Sequence, residues 1–369
     1  MRKDFSLMFG CSLLFGAIAA RAQVSITPLS TFGNNGWLAP GSIPDLTVND
    51  TERGLAYGNN HLYFVSRNGG DSVRVLNPTT GADLGGLNMT GIPAAGTSGS
   101  AFRVNMAVVG GDGAIYVGNL TLNASAATAP FVVYQWATES SAPTVAFSGI
   151  PLAGGRVGDS LAAIGSGSST RLVAGFGSSP SVTGNNGYSI IDPTAHTATK
   201  ATFSGTPPNA GDFRLGITFG LDANHVLGSQ GGGLFRDTDV SGGTGTLLAS
   251  PALHTPNERL LAYATIGGMS LLATENTTDA HVSLYDMTDS AKPVFLGSGN
   301  ATTGTLHANT RNVGELAWGN ISGNSGVLYA MSTDQGIQAF TITVPEPGAL
   351  MLGTLGLGIL AVCRTRRRQ

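Results

Sequence analysis

Six arginines recur along the chain at nearly even spacing. Arg53, Arg103, Arg156, Arg214, Arg259 and Arg311 stand 50, 53, 58, 45 and 52 residues apart. A guanidinium is a planar fork of N–H donors that grips a carboxylate, phosphate or sulfate through two parallel hydrogen bonds. Two chemistries follow. Each arginine can pair with an acid close in sequence, and Glu52, Asp159, Asp212, Glu258 and Glu315 are at hand. The six can instead form a ring of cations around one anionic ligand, such as a uronic acid or a sulfated sugar. Local pairing is the plainer reading, and the ring is the functional one.

The ring requires a framework that returns the chain to the same place about every 50 residues. Each arginine leads a short apolar segment, a turn of Gly, Asn or Asp, and a second apolar segment. Examples are Arg53–Tyr57 with His61–Val65, Arg103–Val108 with Ala114–Val117, and Arg259–Tyr263 with Met269–Ala273. Third strands follow at Val73–Leu76, Tyr188–Ile191 and Val282–Tyr285, closed by Asn77-Pro78, Asp192-Pro193 and Asp286. Asn or Asp before Pro is turn chemistry, with side-chain capping and a preset φ. Weaker fourth strands are expected at Thr144–Phe147, Ala201–Phe203 and Pro293–Leu296. Four antiparallel strands per repeat at this period point to an all-β fold, a β-propeller of six blades. A seventh blade is the alternative, because Gly81–Ser100 has room for an extra strand. Tandem β-sandwiches and a parallel solenoid compete less well, since neither explains a repeat of this length. The sixth copy ends at Ile337–Val344 without a fourth strand, and Val24–Phe32 has strand composition without partners. The N-terminal segment is therefore expected to complete the last blade and close the ring. The first strand of a blade is its innermost, so all six arginines should gather at one end of the channel.

Composition agrees with turns and strands. The chain has 54 glycines, 11% charged residues, 7% aromatics and a mean hydropathy of +0.14. So little Glu, Lys and Arg disfavours helices, coiled coils and α/β folds with helical crossovers. Charge is unevenly spread. Residues 23–344 carry 12 basic residues against 20 acids, a net of −8, while both ends are basic. An acidic body argues against nucleic acid or an anionic membrane face as a partner. The two cysteines, Cys11 and Cys363, lie outside this body, which therefore has no disulfide, thiol nucleophile or thiolate metal site.

The ends read as addresses. Arg2 and Lys3 precede an apolar run to Ala20, and Ala20-Arg21-Ala22 forms an A-x-A cleavage site, so 1–22 reads as a secretory signal peptide. At the other end, Pro345-Glu346-Pro347 precedes an apolar, Gly-rich run from Gly348 to Cys363, then Arg364, Arg366, Arg367 and Arg368. Those arginines would hold the terminus in the cytoplasm. This segment, 345–369, resembles a PEP-CTERM sorting domain in all three parts and their order. The resemblance implies a Gram-negative bacterium that makes exopolysaccharide. It also implies a transmembrane sorting helix, transient anchoring in the inner membrane and processing by an exosortase. The expected product is an exported envelope or matrix protein, 23–344, with the secretion machinery and an acidic polysaccharide as partners.

Catalytic signals are sparse. Gly158-Asp159-Ser160-Leu161 matches a GDSL esterase block, and Asp222–His225 imitates its Asp-x-x-His, but the helical crossovers of that fold are missing. Asp237-Thr238-Asp239 opens like a calcium loop, yet the twelfth position is Leu248 rather than glutamate. The six histidines show no metal-ligand spacing, and no cofactor is expected. The alternative to a binding protein is a secreted propeller hydrolase or lactonase. Its metal site at the channel mouth would be built from Glu52, Asn105, Asp159, Asp212 and Glu315.

Overall fold

The computed structural model describes residues 23–93, 101–125, 128–203, 207–231, 233–241 and 244–345. The expected signal peptide with Ala20 and Ala22 lies outside the described residues. So does the sorting segment from Glu346 onward, including Pro347 and the four terminal arginines. Among the described residues, no helix is long and apolar enough to cross a membrane.

Val24–Val344 fold into six antiparallel sheets, five of four strands and one of five. Two strands, β1 (Ser25–Pro28) and β2 (Trp37–Leu38), precede the first blade. Blade 1 holds β3 (Glu52–Gly58), β4 (His61–Ser66), β5 (Ser72–Leu76) and β6 (Asp83–Gly86). Blade 2 holds β7 (Phe102–Val109), β8 (Ile115–Leu120), β9 (Phe131–Trp136) and β10 (Thr144–Gly149). Blade 3 holds β11 (Val157–Ile164), β12 (Arg171–Phe176), β13 (Tyr188–Asp192) and β14 (Thr197–Lys200). Blade 4 holds β15 (Gly216–Phe219), β16 (His225–Gly231), β17 (Leu234–Asp239) and β18 (Thr246–Ala249). Blade 5 holds β19 (Glu258–Ile266), β20 (Met269–Asn276), β21 (His281–Asp286) and β22 (Val294–Gly299). Blade 6 holds β23 (Gly314–Ser322), β24 (Ser325–Ser332) and β25 (Gly336–Thr343).

The first strand of every blade touches the first strands of both neighbours, so these six strands form the wall of a closed channel. Closure is made as the sequence suggested. β1 pairs antiparallel with β25, Ser25 opposite Thr343 and Pro28 opposite Phe340, and becomes the fourth strand of blade 6. β2 joins the same strand, with Trp37 opposite Gln338. A ring closed by its own N-terminus leaves no inner edge open to another chain.

Strand composition follows from position. Side chains alternate between the two faces of a strand, and in an inner blade both faces are covered by neighbouring blades. In β4, Leu62 and Phe64 join the core between blades 6 and 1, while Tyr63 and Val65 join the core between blades 1 and 2. All four are 0% exposed, which is why the strand reads as a continuous apolar run. Six hydrophobic clusters fill the six interfaces in this way. Outer strands such as β14 alternate weakly and are mostly exposed.

Polar staples tie one blade to the start of the next. The side chains of Asn105, Ser160, Ser229 and Thr333 donate to the carbonyls of Gly158, Phe213, Glu258 and Glu52, at 2.6, 2.9, 2.9 and 2.8 Å. Some of these junctions admit only glycine, because a Cβ on Gly216 would overlap the Arg259 carbonyl oxygen.

Two expectations need correction. The fourth strand of blade 3 is β14, Thr197–Lys200, not Ala201–Phe203. Asp192 accepts from the Thr194 and Ala195 N–H groups, and His196 sits at φ 55°, so the chain reverses at once. Gly81–Ser100 hides no seventh blade among its described residues, because Asp83–Gly86 is the outer strand of blade 1.

Candidate functional site

The channel mouth at the start of the inner strands opens into a recess of about 490 Å³. Arg53, Arg156, Arg214 and Arg311 line it, as the repeat suggested. Arg67 also lines it, and the repeat did not point to Arg67. Asp50 and Asp159 are the acids among the lining residues, so five cations face two anions.

Each guanidinium is placed differently. Asp159 is 3% exposed and holds two of them. Arg156 donates to it through Nε and through Nη2 at 2.6 Å, and Arg214 Nε donates to it at 3.0 Å. Burial alone would raise the Asp159 pKa, but these two arginines overcome it and hold the carboxyl below its ordinary value.

Arg53 and Arg67 have no carboxylate of their own. Each donates one Nη2 bond to the main-chain carbonyl of Asp50, at 2.9 and 2.8 Å. Arg53 Nε and Arg67 Nε and Nη1 are buried and make no hydrogen bond among the described residues. The Phe102 ring lies against both, with its centroid 3.2 Å from the Arg67 guanidinium carbon and 5.5 Å from that of Arg53. Burial lowers the Arg53 pKa, and burial together with the Arg53 charge pushes Arg67 down to about 9. Both remain cations at neutral pH, held under strain from desolvation. The side-chain amide oxygen of Asn105, a residue that also lines the recess, is likewise buried without a partner among the described residues.

Hairpin register explains why Arg67 joins Arg53. Glu52 pairs with Ser66 at the mouth end of β3 and β4, and Arg67, just past β4, donates its N–H to the Thr51 carbonyl, so Arg53 and Arg67 flank that end. An arginine just past the second strand of a repeat was the available signal.

Arg103 and Arg259, expected in the ring, do not line the recess. Arg103 Nε pairs with Asp71, and its Nη1 donates to the Pro93 carbonyl at 2.5 Å. Arg259 sits where the β19–β20 register shifts between Glu258 and Leu260. It donates instead to the Gln230 carbonyl at 3.3 Å and to Thr277 Oγ1 at 2.7 Å.

The acids also differ from the nearest-neighbour expectation. Arg311 pairs with Asp50 at 3.2 Å rather than with Glu315. Asp212 takes Arg236 at 2.6 Å rather than Arg214. Glu52 accepts from Thr47 and Thr51, and Glu258 from Thr255, Thr274, Ser283 and Tyr285. Glu315 accepts from the Leu55 N–H at 2.8 Å. Burial raises its pKa well above the ordinary value against that bond. Of the five groups proposed for a metal, only Asn105 and Asp159 line the recess. Asp237 and Asp239 belong to strand β17 and not to a loop. The Ser160 hydroxyl serves the Phe213 carbonyl, while Asp222 and His225 pair with each other at 3.0 Å.

The fold and the mouth together define a six-bladed β-propeller whose channel opening is lined with arginine. No protein-family model and no curated protein matches the chain. Among solved structures, it is similar to the major allergen Mala s 1 of Malassezia sympodialis, with 13% identity and a TM-score of 0.49. That match covers 78% of this chain and 90% of the allergen. It is also similar to a protein of unknown function from Bacteroides thetaiotaomicron, with 12% identity and a TM-score of 0.48, covering 87% of this chain and 76% of that one.

Proposed function

We propose that the chain is an exported binding or matrix protein of the cell envelope or exopolysaccharide layer, and that its channel mouth holds an acidic polysaccharide. The observation that carries the ligand is the pair Arg53 and Arg67. Neither guanidinium has an ion pair of its own among the described residues, both lie beside the Phe102 ring, and together with Arg156, Arg214 and Arg311 they outnumber the two acids lining the recess, which suits a carboxylate or sulfate. Phe102 offers an apolar edge beside them, as a sugar ring bearing an acid group would need. Export and sorting rest on the terminal motifs: the signal peptide, then Pro345-Glu346-Pro347, the apolar run and the arginines, read by an exosortase.

Two measurements test the two halves. Polygalacturonate and a sulfated glycan are titrated against the protein and its Arg53→Gln/Arg67→Gln variant. Unchanged affinity for every polymer bound by the wild type removes the recess from function. In an exosortase-bearing host, replacing Pro345, Glu346 and Pro347 by alanine should leave the protein in the inner membrane. Normal release would separate the tail from sorting.

A further inference from the structure

Asp50 organises three of the five recess arginines. Its carbonyl accepts from Arg53 and Arg67, and its carboxylate takes Arg311 Nε at 3.2 Å and the Thr310 hydroxyl at 3.2 Å. It does so from a left-handed backbone conformation, φ 57°, which a residue other than glycine keeps only where its surroundings hold it. The holding contact comes from Asp334, between β24 and β25 of blade 6, which accepts the Asp50 N–H at 2.8 Å. Asp334 is itself left-handed, φ 68°, and only 4% exposed. The Glu52 and Asp50 charges both act on the Asp334 carboxyl. Behind the under-neutralised side of the recess therefore lies the buried carboxyl of Asp334, joined to the half-buried Asp50 through the Asp50 main-chain N–H.

We propose that Asp334 regulates the anion site: its protonation removes a negative charge from behind Arg53, Arg67 and Arg311, strengthens anion binding, and is in turn drawn on by an anion entering the recess. This inference rests on the recess being an anion site.

The sign follows from the charges around Asp334. Asp50 and Glu52 face it from the segment leading into blade 1. Arg53, Arg67 and Arg311 stand beyond Asp50. Burial, then the Glu52 and Asp50 charges, raise Asp334 to about 6. An unfolded aspartate titrates near ~3.9, so Asp334 changes charge in a window where free aspartate does not. No histidine lines the recess. Below about pH 6 Asp334 carries its proton and the recess is more positive. Above it Asp334 is ionised and weakens the field felt by an incoming anion.

Inorganic sulfate is the probe, because its own charge is constant over the range used. The full chain is titrated calorimetrically at pH about 5 and about 7.5 in buffers of different ionisation heat. The wild type should bind sulfate about tenfold tighter at the lower pH and take up a proton on binding near pH 6. Asp334→Asn keeps an oxygen to accept the Asp50 N–H. It should bind at both pH values as the wild type does at the lower one, with no proton uptake. If sulfate binds and Arg67→Gln abolishes it, while affinity is the same at both pH values or Asp334→Asn keeps the wild-type dependence, the regulator is overturned and the anion site stands. Should Asp334→Asn fail to fold, absence of proton uptake in the wild type alone overturns the regulator. If sulfate does not bind at either pH, the anion site falls and the regulator with it.

Discussion

The two sides of the recess treat the same side chain in opposite ways. On the Asp159 side, one buried carboxylate takes two guanidiniums and stays ionised despite burial. On the Asp50 side, two guanidiniums meet a main-chain carbonyl, which satisfies a donor but neutralises no charge. Arg311 alone takes the Asp50 carboxylate there. The difference teaches that hydrogen-bond satisfaction and charge compensation are separate conditions. Where both are met, the arginines staple blade 3 to blade 4. Where only the first is partly met, positive charge is left over and faces an open cavity.

Replacing Asp159 should have the largest effect. Asp159→Asn leaves Arg156 and Arg214 without a counter-ion, and urea unfolding should show a loss of about 2–4 kcal/mol. Added sulfate should restore part of it, by binding the folded state. A loss under about 1 kcal/mol would erase the distinction between the two sides.

Arg67→Gln should act on binding instead. Sulfate affinity should fall at least about tenfold, while stability stays within about 1 kcal/mol, since an uncompensated cation is removed with little packing loss. A large stability loss with intact binding would make Arg67 a structural residue.

Glu275 extends the contrast to an acid. It is 0% exposed, and neither oxygen makes a hydrogen bond among the described residues. Burial, then the Asp279 charge, raise its pKa well above the ordinary value. The unfolded chain ionises near ~4.3 while the folded one stays protonated, so stability falls as pH rises through that window. Glu275→Gln should melt higher than wild type at pH about 8, by roughly 3 °C, and show a flatter pH profile. A profile unchanged by the substitution would place the titration elsewhere.

Phe102→Leu should give the smallest change. Loss of the ring beneath Arg67 should weaken sulfate binding about two- to fivefold without loss of fold, the size of a cation–π contact.

Much of the architecture was legible because it rests on periodicity. Six arginine-headed repeats, turn residues after the third strands and an orphan N-terminal strand were enough for six blades and their closure. The outer strands were less legible. β14 has one covered face and no apolar pattern, and its boundary was set by the Asp192–His196 turn. The site was legible in half. Four of the six arginines reach the mouth because they share a position in the repeat. Arg259 is drawn to Gln230 and Thr277, Arg103 is drawn to Asp71, and Arg67 enters through hairpin register. The net charge of −8 gave no hint of this recess, because it averages over a body in which five of the 12 basic residues line one cavity.

The sequence by itself determined the repeat, the strand order within a blade, the absence of cysteine chemistry from the body, and the export and sorting expectations carried by the two ends. Those depend on local composition and spacing, which a chain carries before it folds. Apart from Arg156 with Asp159, three residues on, tertiary structure decided which acid meets which arginine. Asp50 meets Arg311, and Asp334 meets Asp50, across separations of 261 and 284 residues. Partners that far apart are chosen by ring closure between blades 6 and 1. Charge in the recess is therefore a property of that closure rather than of any one repeat.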